Sequence, residues 1–161
     1  MVDIVSAENR SKMMSGIRSK NTKPELLVRY GLHALGLRYR IHYHKLYGKP
    51  DLVFPRYKTV VFVHGCFWHG HNCHLFKLPS TNTSFWETKI AKNQRNDKKN
   101  IDLLLAAGWK VIVVWECVLK RSKMIPSLIL HLAEIIKTGS YSNFIELTSA
   151  KTTSIEEQSN G

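Results

Sequence analysis

The sequence predicts a single α/β domain built on a mixed β-sheet flanked by helices. Three observations lead there. Residues 59–63 (TVVFV) and 111–115 (VIVVW) are short, β-branched and apolar throughout, the pattern of strands covered on both faces. Helical segments stand before, between and after them, giving the order helix, three strands, helix, strand, helix. The chain has 161 residues, enough for about one domain with a sizeable core.

Residues 1–21 are polar and basic without sustained periodicity and read as an N-terminal arm. A helix then starts at Thr22-Lys23-Pro24-Glu25: Thr22 as N-cap, Pro24 in the tolerant first turn, Glu25 closing a capping box. Leu26, Leu27, Tyr30, Leu35 and Leu37 offer its apolar face, and Gly36 suits its stop. Three strand candidates follow at residues 39–43 (YRIHY), 50–54 (PDLVF) and 59–63, separated by Gly48-Lys49-Pro50 and Pro55-Arg56-Tyr57-Lys58 turns. Residues 64–83 are irregular and rich in His, Cys and aromatics. Residues 84–107 read as a long basic helix with Ile90, Ile101, Leu104 and Leu105 as its apolar stripe and Gly108 as its stop. After the 111–115 strand, Pro126 opens a last amphipathic helix that runs to about Lys137. The domain is therefore expected to span residues 22–140. A tail covers 141–161, Ser/Thr/Glu/Gln/Asn-rich and disordered from about residue 148.

Net charge is +12, from 24 Lys and Arg against 12 Asp and Glu. Such an excess is relieved by a polyanion, with nucleic acid ahead of an anionic membrane surface or a merely solubilising coat. No apolar run approaches the roughly 20 residues of a membrane span. The N-terminus lacks the basic start and apolar stretch of a signal peptide, so a cytoplasmic protein is expected.

Three cysteines, an odd number, point to metal ligation rather than disulfides in that compartment. Cys66, His71 and Cys73 lie within eight residues, and Cys117 follows the 111–115 strand. Together they make a Cys₃His set suited to a closed, structural Zn²⁺ site. His64, His69 and His74 lie in the same stretch, and any of them could take the place of His71. The alternative, small buried cysteines, suits Cys117 but not two cysteines in a polar loop. Gly48-Lys49-Pro50-Asp51 ahead of an apolar strand is a candidate nuclease motif: a carboxylate at a strand edge can hold a hard cation such as Mg²⁺ against a phosphate. Alone, Pro-Asp is as often a turn.

The string Phe62-Val63-His64-Gly65-Cys66-Phe67-Trp68-His69-Gly70-His71 is far more specific. With Pro50-Asp51, Phe85-Trp86-Glu87, Trp115-Glu116-Cys117 and Arg10-Ser11-Lys12, it closely resembles the very short patch repair (Vsr) endonucleases over residues 8–137. The resemblance implies a restriction-endonuclease-like fold and hydrolysis of one strand of duplex DNA beside a T:G mismatch left by deamination of 5-methylcytosine. It implies Asp51 as side-chain ligand of catalytic Mg²⁺, the carbonyl of Val63 as a second ligand, and His69 as general base. His64 and Glu25 would support the site through hydrogen bonds to its waters. Cys66, His71, Cys73 and Cys117 would hold structural zinc. Phe67, Trp68 and Trp86 would wedge into the base stack, where a mismatch lowers the cost of unstacking. Phe67, Trp68 and Trp86 could instead be core aromatics, and Glu25 only a capping residue. Lys89, Lys92 and Arg95 are candidate phosphate contacts. A monomer is implied, with a cytosine-5 DNA methyltransferase and mismatch-repair proteins as functional companions. Val63 departs from the pattern, which has threonine there; a carbonyl ligand tolerates the change. Two rivals remain: an endonuclease cutting both strands of paired DNA, and a zinc-stabilised DNA-binding module without catalysis.

Overall fold

The computed structural model describes residues 22–139 and 141–149, and the N-terminal arm and the residues from 150 onward lie outside the described part. Helix α1 (Lys23–Ala34) starts as expected: Thr22 Oγ1 accepts from the Glu25 backbone N–H at 3.4 Å, and Pro24 sits in the first turn. It ends through Gly36 at φ +89, with the Leu37 N–H bonded back to the Leu32 carbonyl, a Schellman-type close that a side chain at 36 would strain. Its fully buried residues are Glu25, Val28, Arg29 and Leu32; of the expected apolar face, Leu37 just past the helix is buried, Leu26 and Leu27 are half-buried, and Tyr30 and Leu35 are exposed. The face is set by one 3.6-residue stripe, and a polar pair enters it because Glu25 and Arg29 form an ion pair one turn apart.

Strand β1 (Leu52–Phe54) turns through residues 55–57 into β2 (Thr59–His64), antiparallel to it. The long helix α2 (Thr83–Ala106) crosses over to β3 (Lys110–Trp115), parallel to β2. Helix α3 (Ile125–Lys137) leads to β4 (Phe144–Leu147), parallel to β3. The mixed sheet runs β1-β2-β3-β4. Side chains alternate across it. Leu52, Phe54, Val61, Ile112, Val114, Ile145 and Leu147 pack with α1 and α3; Val53, Val60, Phe62, Val111, Val113 and Trp115 pack toward α2 and the Cys-rich loop. The two apolar runs are thus covered on both sides, as read from sequence.

Two expectations are corrected. Residues 39–43 form no strand: only Arg40 bridges Val53, because His42 at φ +55 breaks the extended backbone. The sheet also continues past residue 140. Residues 144–147, assigned to the tail, form β4, with Ile145 and Leu147 buried and Glu146 outward. Thr148, expected at the start of disorder, is buried. Among the described residues no helix is long and apolar enough to cross a membrane.

Candidate active site and metal centre

The end of β2 organises the site. Asp51 stands one residue before β1, and its Oδ2 accepts the Val63 backbone N–H at 2.6 Å, so the side chain extends the β1–β2 ladder where the backbone leaves it. The Val63 side chain packs against the core on the α1/α3 side. Burial lifts the Asp51 carboxyl from 3.8 to about 7; the negative charge of Glu25 adds to the rise, against the Val63 N–H, His69 and Arg29. Glu25 is itself buried and paired with the Arg29 guanidinium.

His64, the last residue of β2, is buried, and its ring lies flat on His69 with centroids 3.8 Å apart. Burial, then the neighbouring His69, hold His64 well below the usual histidine range. Its Nδ1 has no hydrogen-bond partner among the described residues. His69 Nδ1 lies 2.5 Å from Asp97 Oδ2 on α2. Read as an Nδ1–H donor to the carboxylate, this fixes the tautomer that leaves Nε2 unprotonated, the arrangement of a positioned general base. Asp51, Glu25, Val63, His64, His69 and Asp97 line one cleft of about 750 Å³, with Phe67, Trp68 and Asn93 along its wall. Asn93 fixes that wall by donating to the Trp68 carbonyl at 2.9 Å.

The loop after β2 then folds back on the sheet. Cys66, His71, Cys73 and Cys117 bring their ligand atoms within 4.8 Å of one another and could hold a metal ion. Cys66 and Cys117 are buried, and burial pushes the Cys66 thiol up and the His71 imidazole down. His71 lies flat on the Trp115 indole at 4.1 Å, and His64 meets the same indole edge-on at 5.2 Å. One ring therefore separates the cysteine cluster from the histidine pair.

A profile of the DNA mismatch endonuclease Vsr family matches residues 2–75. A type II nicking enzyme of Neisseria meningitidis serogroup A is 49% identical over 137 residues, 85% of this chain and 98% of the relative. A type II nicking enzyme of Xanthomonas oryzae is 48% identical, over 73% of this chain and 86% of the relative. The DNA mismatch endonuclease Vsr of Escherichia coli K12 is 43% identical, over 77% of this chain and 80% of the relative. The chain belongs to the Vsr family. Its members are DNA endonucleases, which accounts for the surplus of positive charge read from the sequence.

In this Vsr-family chain the three wedge candidates come together at the cleft mouth. Phe67 and Trp68 from the loop stack edgewise on Trp86 from the first turn of α2, with centroids 5.4 and 5.8 Å away, and all three are half-buried. Phe85, 57% exposed and not singled out from sequence, adjoins them. The Lys89 ammonium lies over the Trp68 and Phe85 rings at 6.0 and 5.7 Å. The cations Lys89, Lys92 and Arg95 step round α2 by about 60° each, so Arg95 stands about 120° from Lys89. At about 100° per residue, Arg95 faces away from Asn93 and Asp97, and it lines a separate shallow groove with Lys98 and Lys99. Lys92 is exposed on the flank between.

Sequence reasoning missed Asp97, the partner of His69. The signal was faint: Asp97 falls in helical step with Trp86, Ile90, Asn93 and Ile101, a carboxylate on the inward stripe of a basic helix.

Proposed function

We propose that this chain nicks one strand of duplex DNA at a T:G mismatch, using Mg²⁺ at Asp51 and structural zinc at Cys66, His71, Cys73 and Cys117. The observation that carries the catalytic reading is the His69–Asp97 pair facing Asp51 across one cleft. It supplies an oriented base beside a carboxylate able to hold a hard cation, the two parts phosphodiester hydrolysis requires.

The residues present fit both metals. Asp51 is buried and crowded by Glu25, a penalty that a divalent cation relieves. The buried His64 Nδ1 without a partner suits a hydrogen bond to a water of the site. When bound, Mg²⁺ supplies charge stabilisation at the scissile phosphate. His69 takes the proton of the attacking water at Nε2, while Asp97 holds Nδ1–H. Asp51 acts only when ionised. Val63 meets Asp51 through its backbone and turns its side chain to the core, which supports valine standing where the pattern has threonine. At the other centre, His71 Nδ1 lies 3.5 and 3.7 Å from the sulfurs of Cys66 and Cys117. A tetrahedral zinc with ordinary Zn–S and Zn–N bonds sets that edge at about 3.6 Å.

The aromatic cluster at the cleft mouth supports base-stack insertion, because Phe67, Trp68 and Trp86 present ring faces and edges beside Lys89. The mixed sheet with its carboxylate at the β1–β2 edge supports a restriction-endonuclease-like fold. Relatives named nicking enzymes support cleavage of one strand rather than two. A T:G substrate arises where 5-methylcytosine deaminates, so a cytosine-5 methyltransferase and mismatch-repair proteins are the companions in this reading, with the chain acting as a cytoplasmic monomer.

The test is a nicking assay with Mg²⁺ on a labelled duplex carrying a central T:G pair, its T:A control, and a panel of flanking sequences. Cleavage confined to the T-bearing strand of mismatched duplexes is expected. Cutting of both strands of paired duplexes would replace this reading with a restriction-like one. Asp51→Ala should abolish nicking and leave zinc content unchanged.

A further inference from the structure

We infer that Thr148, just beyond β4, is a positioning residue of the cysteine–histidine centre, so that metal binding and docking of the C-terminal strand stabilise each other. The inference rests on reading Cys66, His71, Cys73 and Cys117 as a metal site.

Thr148 is 5% exposed. Its Oγ1 lies 3.0 Å from His71 Nε2 and 3.8 Å from Cys117 Sγ. A hydroxyl there does two things at once: its oxygen accepts the His71 Nε2–H, and its proton points to the Cys117 sulfur. The first fixes the tautomer in which Nδ1, the atom facing Cys66 and Cys117, carries the lone pair. That is the tautomer a metal ligand requires at this atom, and outer partners that touch two ligands, as this hydroxyl touches His71 and Cys117, tune affinity.

The sheet register explains how Thr148 arrives there. Val114 pairs with Leu147 in the parallel β3–β4 ladder, so the next residue of β4 comes level with Trp115, whose indole carries the His71 ring. β4 is an edge strand, four residues long, paired among the described residues with β3 alone. An anchor at its end stabilises it where the ladder is short.

The experiment compares zinc retention by the wild-type chain, Thr148→Val and Thr148→Ser during titration with a chromogenic chelator. Thr148→Val keeps the shape and loses the hydroxyl; a ten- to hundred-fold loss of zinc affinity is expected, of the order found for outer partners of metal ligands. Thr148→Ser should restore most of it. Retention by Thr148→Val equal to wild type overturns the inference while leaving the metal site standing. A wild-type chain that purifies without bound metal overturns the site and the inference together. Hydrogen exchange on the wild type tests the coupling without any substitution: chelation should speed exchange of the Phe144–Leu147 amides more than those of β2, and equal protection before and after chelation overturns it.

Discussion

His69 and Asp97 lie 28 residues apart in sequence, yet the imidazole Nδ1 meets the carboxylate Oδ2 at 2.5 Å. The loop after β2 brings the imidazole, and the middle of α2 brings the carboxylate. Loss of the carboxylate frees the ring to flip and to take the wrong tautomer. Asp97→Asn is therefore expected to lower the single-turnover nicking rate by on the order of 10²-fold or more, with DNA affinity nearly unchanged. An equal rate in the variant would remove Asp97 from the site.

Asp51 gives a stability signature separate from activity. Its carboxyl is raised in the folded state to about 7 from 3.8. The folded chain thus binds this proton more tightly than the unfolded one. Without Mg²⁺, stability falls as pH rises through that interval and stays reduced above it. Asp51→Asn removes the charge and should be more stable than wild type at about pH 8, on the order of 1 kcal/mol, with the gap closing as pH falls to about 4. Urea denaturation at several pH values in Mg²⁺-free buffer measures this.

Gly70 sits at φ +62 between His69 of the cleft and His71 of the cysteine cluster. A Cβ there would collide with the Gln94 amide and lie 2.7 Å from Ile90 Cγ2. The loop is seated on α2 at this point, where Gln94 donates to the Gly70 carbonyl at 3.2 Å. Gly70→Ala should destabilise the fold by on the order of 2 kcal/mol and loosen zinc, both readable by thermal denaturation with and without chelator.

Lys89 and Arg95 separate two uses of the same basic helix. Lys89 stands over the aromatic cluster, and Arg95 lies about 120° further round α2, beside Lys98 and Lys99. Lys89→Ala should weaken DNA binding and reduce the salt slope by about one. Arg95→Ala should change the slope less. Binding isotherms over a range of salt concentrations distinguish the two.

The cysteine–histidine set was legible because two cysteines in a polar, His-rich loop have few other uses. The two central strands were legible because runs such as TVVFV and VIVVW leave little choice of partner or period. What escaped depended on contacts distant in sequence. Asp97 is one of several charged residues on a helix, and only folding shows that it meets His69. β4 is short, and its alternation of Ile145, Glu146 and Leu147 gains meaning only beside β3. The strand expected at 39–43 had the right alternation but lost its extension at a single left-handed residue, His42. Glu25 and Arg29 joined the buried face of α1 unforeseen, because burial of an ion pair follows no hydropathy pattern.

Helix α2 carries Trp86 in its first turn and Asp97 in its middle. Eleven residues make about three complete turns, a rise of about 16 Å, and return the side chain to the same face. In the proposed reaction, the side chain that touches the bases and the one that orients the His69 imidazole are thus two marks on one ruler. Where the strand is cut, relative to where the helix is distorted, becomes a matter of length set by a rigid rod rather than by a loop.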